Sequence, residues 1–154
     1  MKELAGFTGA MKTRSRVFVF AAIAVLLAGC VAETGTPQIR PAKGASAEQA
    51  FESFAILFVA AELIGESCGA FGIRRNYVSK QQLITVYVAA LERDGYSGPE
   101  MLRVIDRMSK EAVAIKAVAR LKAGGVRDND RASLCKYGLK EISSGTALGK
   151  LLRT

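Results

Sequence analysis

Three times in this chain a serine is followed, three positions on, by Gln or Glu, and apolar residues then recur at spacings of three and four. In such a capping box the hydroxyl and the amide or carboxylate satisfy orphan N–H groups at a helix start. The subsequent spacing gathers apolar side chains on one helical face. Ser46-Ala-Glu-Gln49 precedes Phe51, Phe54, Leu57, Phe58, Ala61, Ile64 and Cys68, which predicts a helix over 47–67 ended by Gly69 and Gly72. Ser79-Lys-Gln-Gln82, with Val78 and Leu83 placed as a hydrophobic staple, precedes Leu83, Tyr87, Ala90 and Leu91, closing near Asp94-Gly95. Ser97-Gly-Pro-Glu100 opens the longest periodic run: Met101, Ile105, Met108, Ala112, Ile115 and Ala119, stopped at Gly124-Gly125. Asp128-Asn-Asp130 caps a fourth helix with Leu134, Cys135, Gly138 and Ile142, and a final turn over 146–152 carries Leu148, Leu151 and Leu152. No segment sustains the alternation a strand requires, and the β-branched Ile84–Val88 stretch lies inside a capped helical pattern. The expectation is an all-α fold: a small bundle of four helices plus a short C-terminal helix over 46–154.

The N-terminus has a different character. Lys12, Arg14 and Arg16 form a positive region, followed by an apolar run from Val17 to Leu27 of 11 residues. A spanning helix needs about 20 apolar residues, so this run reads as a cleavable secretory signal. It occupies 1–29, and Met11 begins a signal complete in itself. Leu27-Ala28-Gly29-Cys30 resembles the bacterial lipobox. The resemblance implies diacylglycerol transfer to the Cys30 sulfur, cleavage before Cys30 and acylation of the new terminus. The alternative is an ordinary secretory signal with a cysteine near its cleavage site. Two or more fatty chains hold a protein stably at a bilayer, at ~0.8 kcal/mol per buried methylene. Membrane attachment through acylated Cys30 is therefore expected. Val31 stands where Asp would favour inner-membrane retention by the enterobacterial sorting rule, so by resemblance to that rule the periplasmic leaflet of the outer membrane is favoured.

Residues 30–45 carry Thr, Gly, Gln, Lys and two prolines (Pro37 and Pro41) without apolar periodicity, the composition of a lipid-bearing flexible tether. The whole chain has a formal net charge of +8. Without 1–29, 18 Lys and Arg face 13 Asp and Glu, which leaves +5. Much of the basicity is targeting sequence, and nucleic acid is not an expected partner.

Chemistry is constrained by what is missing. The chain has no His, which excludes Ser-His and Cys-His mechanisms and His-ligated metals. Its three cysteines fall short of the roughly four thiolates of an all-cysteine zinc site. No catalytic residue, metal or cofactor is expected. Gly65-Glu-Ser67-Cys-Gly69 matches a nucleophile elbow in spelling only, because it ends a helix and no histidine can take the proton. Glu62 and Glu66, one turn apart, could in principle serve cell-wall glycoside chemistry, although such pairs more often form a solvated face; the alternative function is that enzyme or a bundle binding an apolar small molecule in an internal cavity. With Cys30 acylated, Cys68 and Cys135 are left on apolar helical faces in an oxidising compartment. They read most simply as a disulfide, with a pair of buried free thiols as the rival.

Arg103, Arg107 and Lys110 recur at spacings of four and three opposite the apolar stripe of the third helix, with Lys116, Arg120 and Lys122 beyond. They form a candidate contact for anionic headgroups or an acidic envelope partner; the competing reading is an ordinary solvated face.

Several features together resemble a family of small proteobacterial periplasmic proteins classed as a domain of unknown function. They are Ala61-Glu62 followed by Cys68, Gly95-Tyr96-Ser97 before an acidic helix start, Cys135-x-x-Gly138-x-x-Glu141-Ile142, and Thr146-Ala-Leu-Gly149-Lys-Leu151-Leu152-Arg153. The resemblance covers Phe54 to Arg153 and implies a helical secreted domain with a Cys68–Cys135 bridge. It brings no known activity, substrate or catalytic residue. A lipobox stands where that family would carry a plain cleavable signal. The expected function is a non-enzymatic, lipid-anchored envelope module for interaction or structure.

Overall fold

In the computed structural model, which describes residues 39–154, the first capping box is complete. Ser46 N–H donates to Gln49 Oε1 at 3.0 Å and Gln49 N–H donates to Ser46 Oγ at 3.2 Å. They start α1, Ala47–Ser67, about 30 Å long at 1.5 Å per residue. The signal segment, Cys30 and most of the tether lie outside the described residues.

Four further helices pack around or beside α1. They are α2 (Lys80–Arg93), α3 (Gly98–Arg107), α4 (Lys110–Ala123) and α5 (Arg131–Ser143). Helices α3, α4 and α5 all lie against α1, and α2 joins it through aromatic rings. Tyr87 stacks on Phe54 with centroids 4.0 Å apart, and Phe51 meets both rings edge-on. Each such pair adds ~0.5–1.5 kcal/mol beyond its buried area. The core runs the length of α1, through Phe54, Ile64, Leu83, Leu91, Met101, Leu148 and Leu151.

The all-α expectation holds, and its details shift for physical reasons. The third periodic run is two helices rather than one. Met108 adopts an extended backbone (φ −73°, ψ 122°), and Ser109 starts α4 by accepting the Ala112 N–H at 3.2 Å. The break resets the buried face to Val113, Ala117 and Leu121, leaving Ile115 63% exposed. Ser97 makes no side-chain cap, and Pro99 stands in the first turn, where its missing N–H costs nothing. Ser79 accepts the Gln82 N–H, but Val78 points to solvent, 92% exposed, so the staple with Leu83 does not form. Its inward place is taken one residue earlier by Tyr77, which packs on Phe58 with ring centroids 5.7 Å apart.

The C-terminal turn is a 3₁₀ segment, Gly149–Leu151, leading into a two-residue strand. That strand, β2 (Leu152–Arg153), pairs antiparallel with β1 (Arg74–Arg75), placing Arg74 opposite Arg153. Two residues are too few to show a period. Gly149 is required here: a Cβ on it would stand 2.0 Å from the Glu141 carbonyl oxygen. Ahead of α1, Ile39 is buried in the core and the Ala45 carbonyl accepts the Tyr96 hydroxyl at 2.8 Å. The stretch read as tether is thus packed against the domain over its last residues.

Candidate functional site

The residues singled out by sequence fall into three places. Cys68, the C-cap of α1, and Cys135, on α5, form a disulfide with S–S 2.03 Å and Cα–Cα 5.5 Å. Both are buried, at 0% and 1% exposure, so the bond is shielded from solvent thiols. Beside it, Gly138 gives the close approach of α5 to α1, since a Cβ there would meet Ile64 Cγ2 at 2.7 Å. Cys30 lies outside the described residues.

Glu62 and Glu66 have different surroundings. Arg75 Nη1 donates to Glu62 Oε2 at 2.7 Å, and the Tyr77 hydroxyl donates to Glu62 Oε1. Both carboxylate oxygens are thereby engaged, and Glu62 acts as a clasp tying the 73–79 loop to α1. Burial pushes the Tyr77 phenol far above its ordinary range, and the bond to Glu62 pushes it further. Glu66 instead lines an open groove of about 630 Å³ with Ser67, Leu121, Arg127 and Leu134. Two ion pairs lie along the groove: Lys122 with Asp128 at 2.7 Å and Arg127 with Asp130 at 2.5 Å. Asp130 caps α5, and the Ser133 N–H it accepts holds its carboxyl below the ordinary value.

The basic residues Arg103, Arg107 and Lys110 are divided by the break after α3. Lys110 opens α4, so the three do not form one continuous helical series. Arg103 Nε donates to the Pro99 carbonyl at 3.3 Å and Arg107 Nε to the Arg103 carbonyl at 3.2 Å, folding both guanidinium groups back along α3. Arg107 lines a small groove with Glu48 and Glu52 of α1. Beyond them, Lys116 is paired with Glu52 at 2.5 Å and Lys122 with Asp128, so part of the basic run is consumed inside the fold.

Sequence reasoning missed two features. The Glu62–Arg75–Tyr77 clasp joins positions 13 and 15 residues apart through a loop, where no periodicity operates. The other is where the positive charge resides. Residues 39–119 hold ten Lys and Arg against nine Asp and Glu, whereas 120–154 hold eight against three. A count by segment would have shown it, and the excess sits on α5 and the C-terminal segment rather than on α3.

Among the described residues, no group of His, Cys, Asp and Glu could hold a metal ion, and no helix is long and apolar enough to cross a membrane. No curated protein and no solved structure matches the chain. A family model does match, over residues 43–153, from just ahead of the α1 cap through β2 and so across nearly all the described elements. The chain belongs to DUF5333, a family of unknown function.

Proposed function

We propose that this chain is a lipid-tethered module of the bacterial envelope that works by contact rather than by catalysis. The observation that carries this reading is the basic and apolar leader ending in Leu27-Ala28-Gly29-Cys30. Acylation of Cys30 attaches the domain to a bilayer with no spanning helix. Val31 directs it to the periplasmic leaflet of the outer membrane. The buried Cys68–Cys135 bond supports the same compartment, because such bonds persist where the surroundings are oxidising. Glu62, tied at both oxygens, is a poor acid or base, which supports a non-enzymatic role. Arg103, Arg107 and Lys110 remain exposed and serve as the contact for an acidic envelope partner.

Labelled palmitate tests the anchor. Wild-type protein incorporates the label and Cys30→Ala does not; an unlabelled wild-type protein rules the anchor out. Reversing Arg103, Arg107 and Lys110 to Glu tests the contact, measured by partners recovered from envelope fractions. Their loss supports it, and an unchanged set leaves that face as plain solvated surface.

A further inference from the structure

We infer that α5 carries a binding site for a compact, multiply charged oxyanion of the phosphate class. A shallow cavity of about 530 Å³ is lined by Gly125, Arg127, Ser133, Lys136, Tyr137 and Lys140, with Ala132 at its edge. Three of these are cations and none is an acid. Lys136 and Lys140 stand one turn apart on the exposed face of α5, with Cβ atoms ~6 Å apart. Neither has a carboxylate within 4 Å among the described residues, whereas Lys116 and Lys122 do. The two nearby acids have partners, and Glu141 also stands against the Tyr137 phenol at the cavity floor. Asp130 takes the Arg127 guanidinium from one side and caps α5, and Glu141 accepts the Thr146 hydroxyl.

The floor is built rather than incidental. Gly124 lets the α4–α5 loop close on Tyr137, whose ring would stand 2.3 Å from any Cβ there. The Arg127 N–H donates to Ser133 Oγ at 3.0 Å, fixing the loop that presents the guanidinium. Two unpaired ammonium groups over a largely apolar floor concentrate positive potential in a concavity, while the Arg127 guanidinium at its edge is shared with Asp130. Lysine binds phosphate as a point charge and needs no planar match.

The site's place in the fold favours a soluble ligand over a lipid headgroup. Arg131, at the start of α5, donates to the Ser67 carbonyl at the C-terminal end of α1. The chain approaches the domain at the other end, through Ile39 and Ala45, a helix length of about 30 Å away. This step alone rests on the proposed tether; the oxyanion site does not.

Amide spectra of the disulfide-bonded protein titrated with inorganic pyrophosphate test the site. A saturable shift confined to residues 125–140, with affinity at least ~10-fold weaker in Lys136→Ala with Lys140→Ala, supports it; that loss is ~1.4 kcal/mol. Lys150→Ala, outside the cavity, leaves the affinity unchanged. No saturable shift overturns the proposal, as does equal weakening by the Lys150 change, which would mark a diffuse charge effect. Anionic phosphatidylglycerol vesicles form the second arm. Vesicle binding that needs Lys136 and Lys140, without any pyrophosphate response, overturns the assignment to a soluble ligand. Cys30→Ala leaves the pyrophosphate result intact, so failure of the anchor and failure of this site are read separately.

Discussion

The two ends of α1 are held by different forces. At the Ser46 end the neighbours are rings: Phe51, Phe54 and Tyr87 interlock, and the Tyr87 hydroxyl donates to the Ala50 carbonyl at 2.9 Å. At the Ser67 end the neighbours are cross-links: the Cys68–Cys135 bond, the Glu62 clasp, the Arg131 bond to the Ser67 carbonyl and the β1–β2 pair. The first end depends on buried apolar surface and a few hydrogen bonds, none of them conditional on redox surroundings. Stability at the second is conditional on a covalent bond, and therefore on where the chain resides.

The largest test of that contrast is to remove the bond. Cys68→Ala with Cys135→Ala opens a loop of 67 residues, for which chain entropy gives a loss of about 4 kcal/mol in urea unfolding. Amide exchange should rise first at Asn76, whose N–H donates to the Leu151 carbonyl, while the Tyr87 neighbourhood stays protected. Uniform loss of protection at both ends would break the comparison.

A smaller change probes the same end without touching sulfur. Gly138→Ala drives a methyl against Ile64 and Ile73, and overpacking of this kind costs about 2 kcal/mol. Isoleucine side chains can yield, so the measured midpoint shift reports how rigidly the bond holds α5 to α1. A shift that shrinks when the disulfide is absent sharpens the contrast; one that stays the same weakens it.

The aromatic end should answer to alkali instead. Burial pushes the Tyr87 phenol up to about 12. Below its ordinary value of about 10, both folded and unfolded chains keep the proton, so Tyr87 adds no slope there. Between about 10 and about 12 the unfolded chain gives up a proton that the folded one keeps, so stability falls as pH rises. Tyr87→Phe loses one hydrogen bond, about 1 kcal/mol at neutral pH, and flattens part of the alkaline decline. Phenolate absorbance measured against unfolding is the readout. A Tyr87 that titrates near its ordinary value with the fold intact would contradict its burial.

Much of this was legible in the chain because local rules were enough. Ser46 and Gln49 announce α1, Asp130 announces α5, and Leu83, Tyr87 and Leu91 repeat at helical spacing. The break at Met108 was hidden because the spacing runs straight through it. Ser109 and the second series Val113, Ala117 and Leu121 are its signal, but only packing against α1 chooses between the two series. The β1–β2 pair was illegible, since two residues have no pattern and their partners are remote. The cysteine pair could be read because covalent chemistry limits its options. For the basic residues, by contrast, spacing on one presumed helix grouped Arg103, Arg107 and Lys110, whereas the break after α3 divides them and the net excess of Lys and Arg lies on α5 and the C-terminal segment.

The 3₁₀ turn and β2 close the core from a great distance along the chain. Asn76 grips the Lys150 carbonyl from 74 positions away, and Leu148, Leu151 and Leu152 fill space that α1 and α5 cannot. A polypeptide emerging from its N-terminus, from a ribosome or through a narrow pore, thus lacks a finished interior until Arg153 has appeared. Until then it remains threadable.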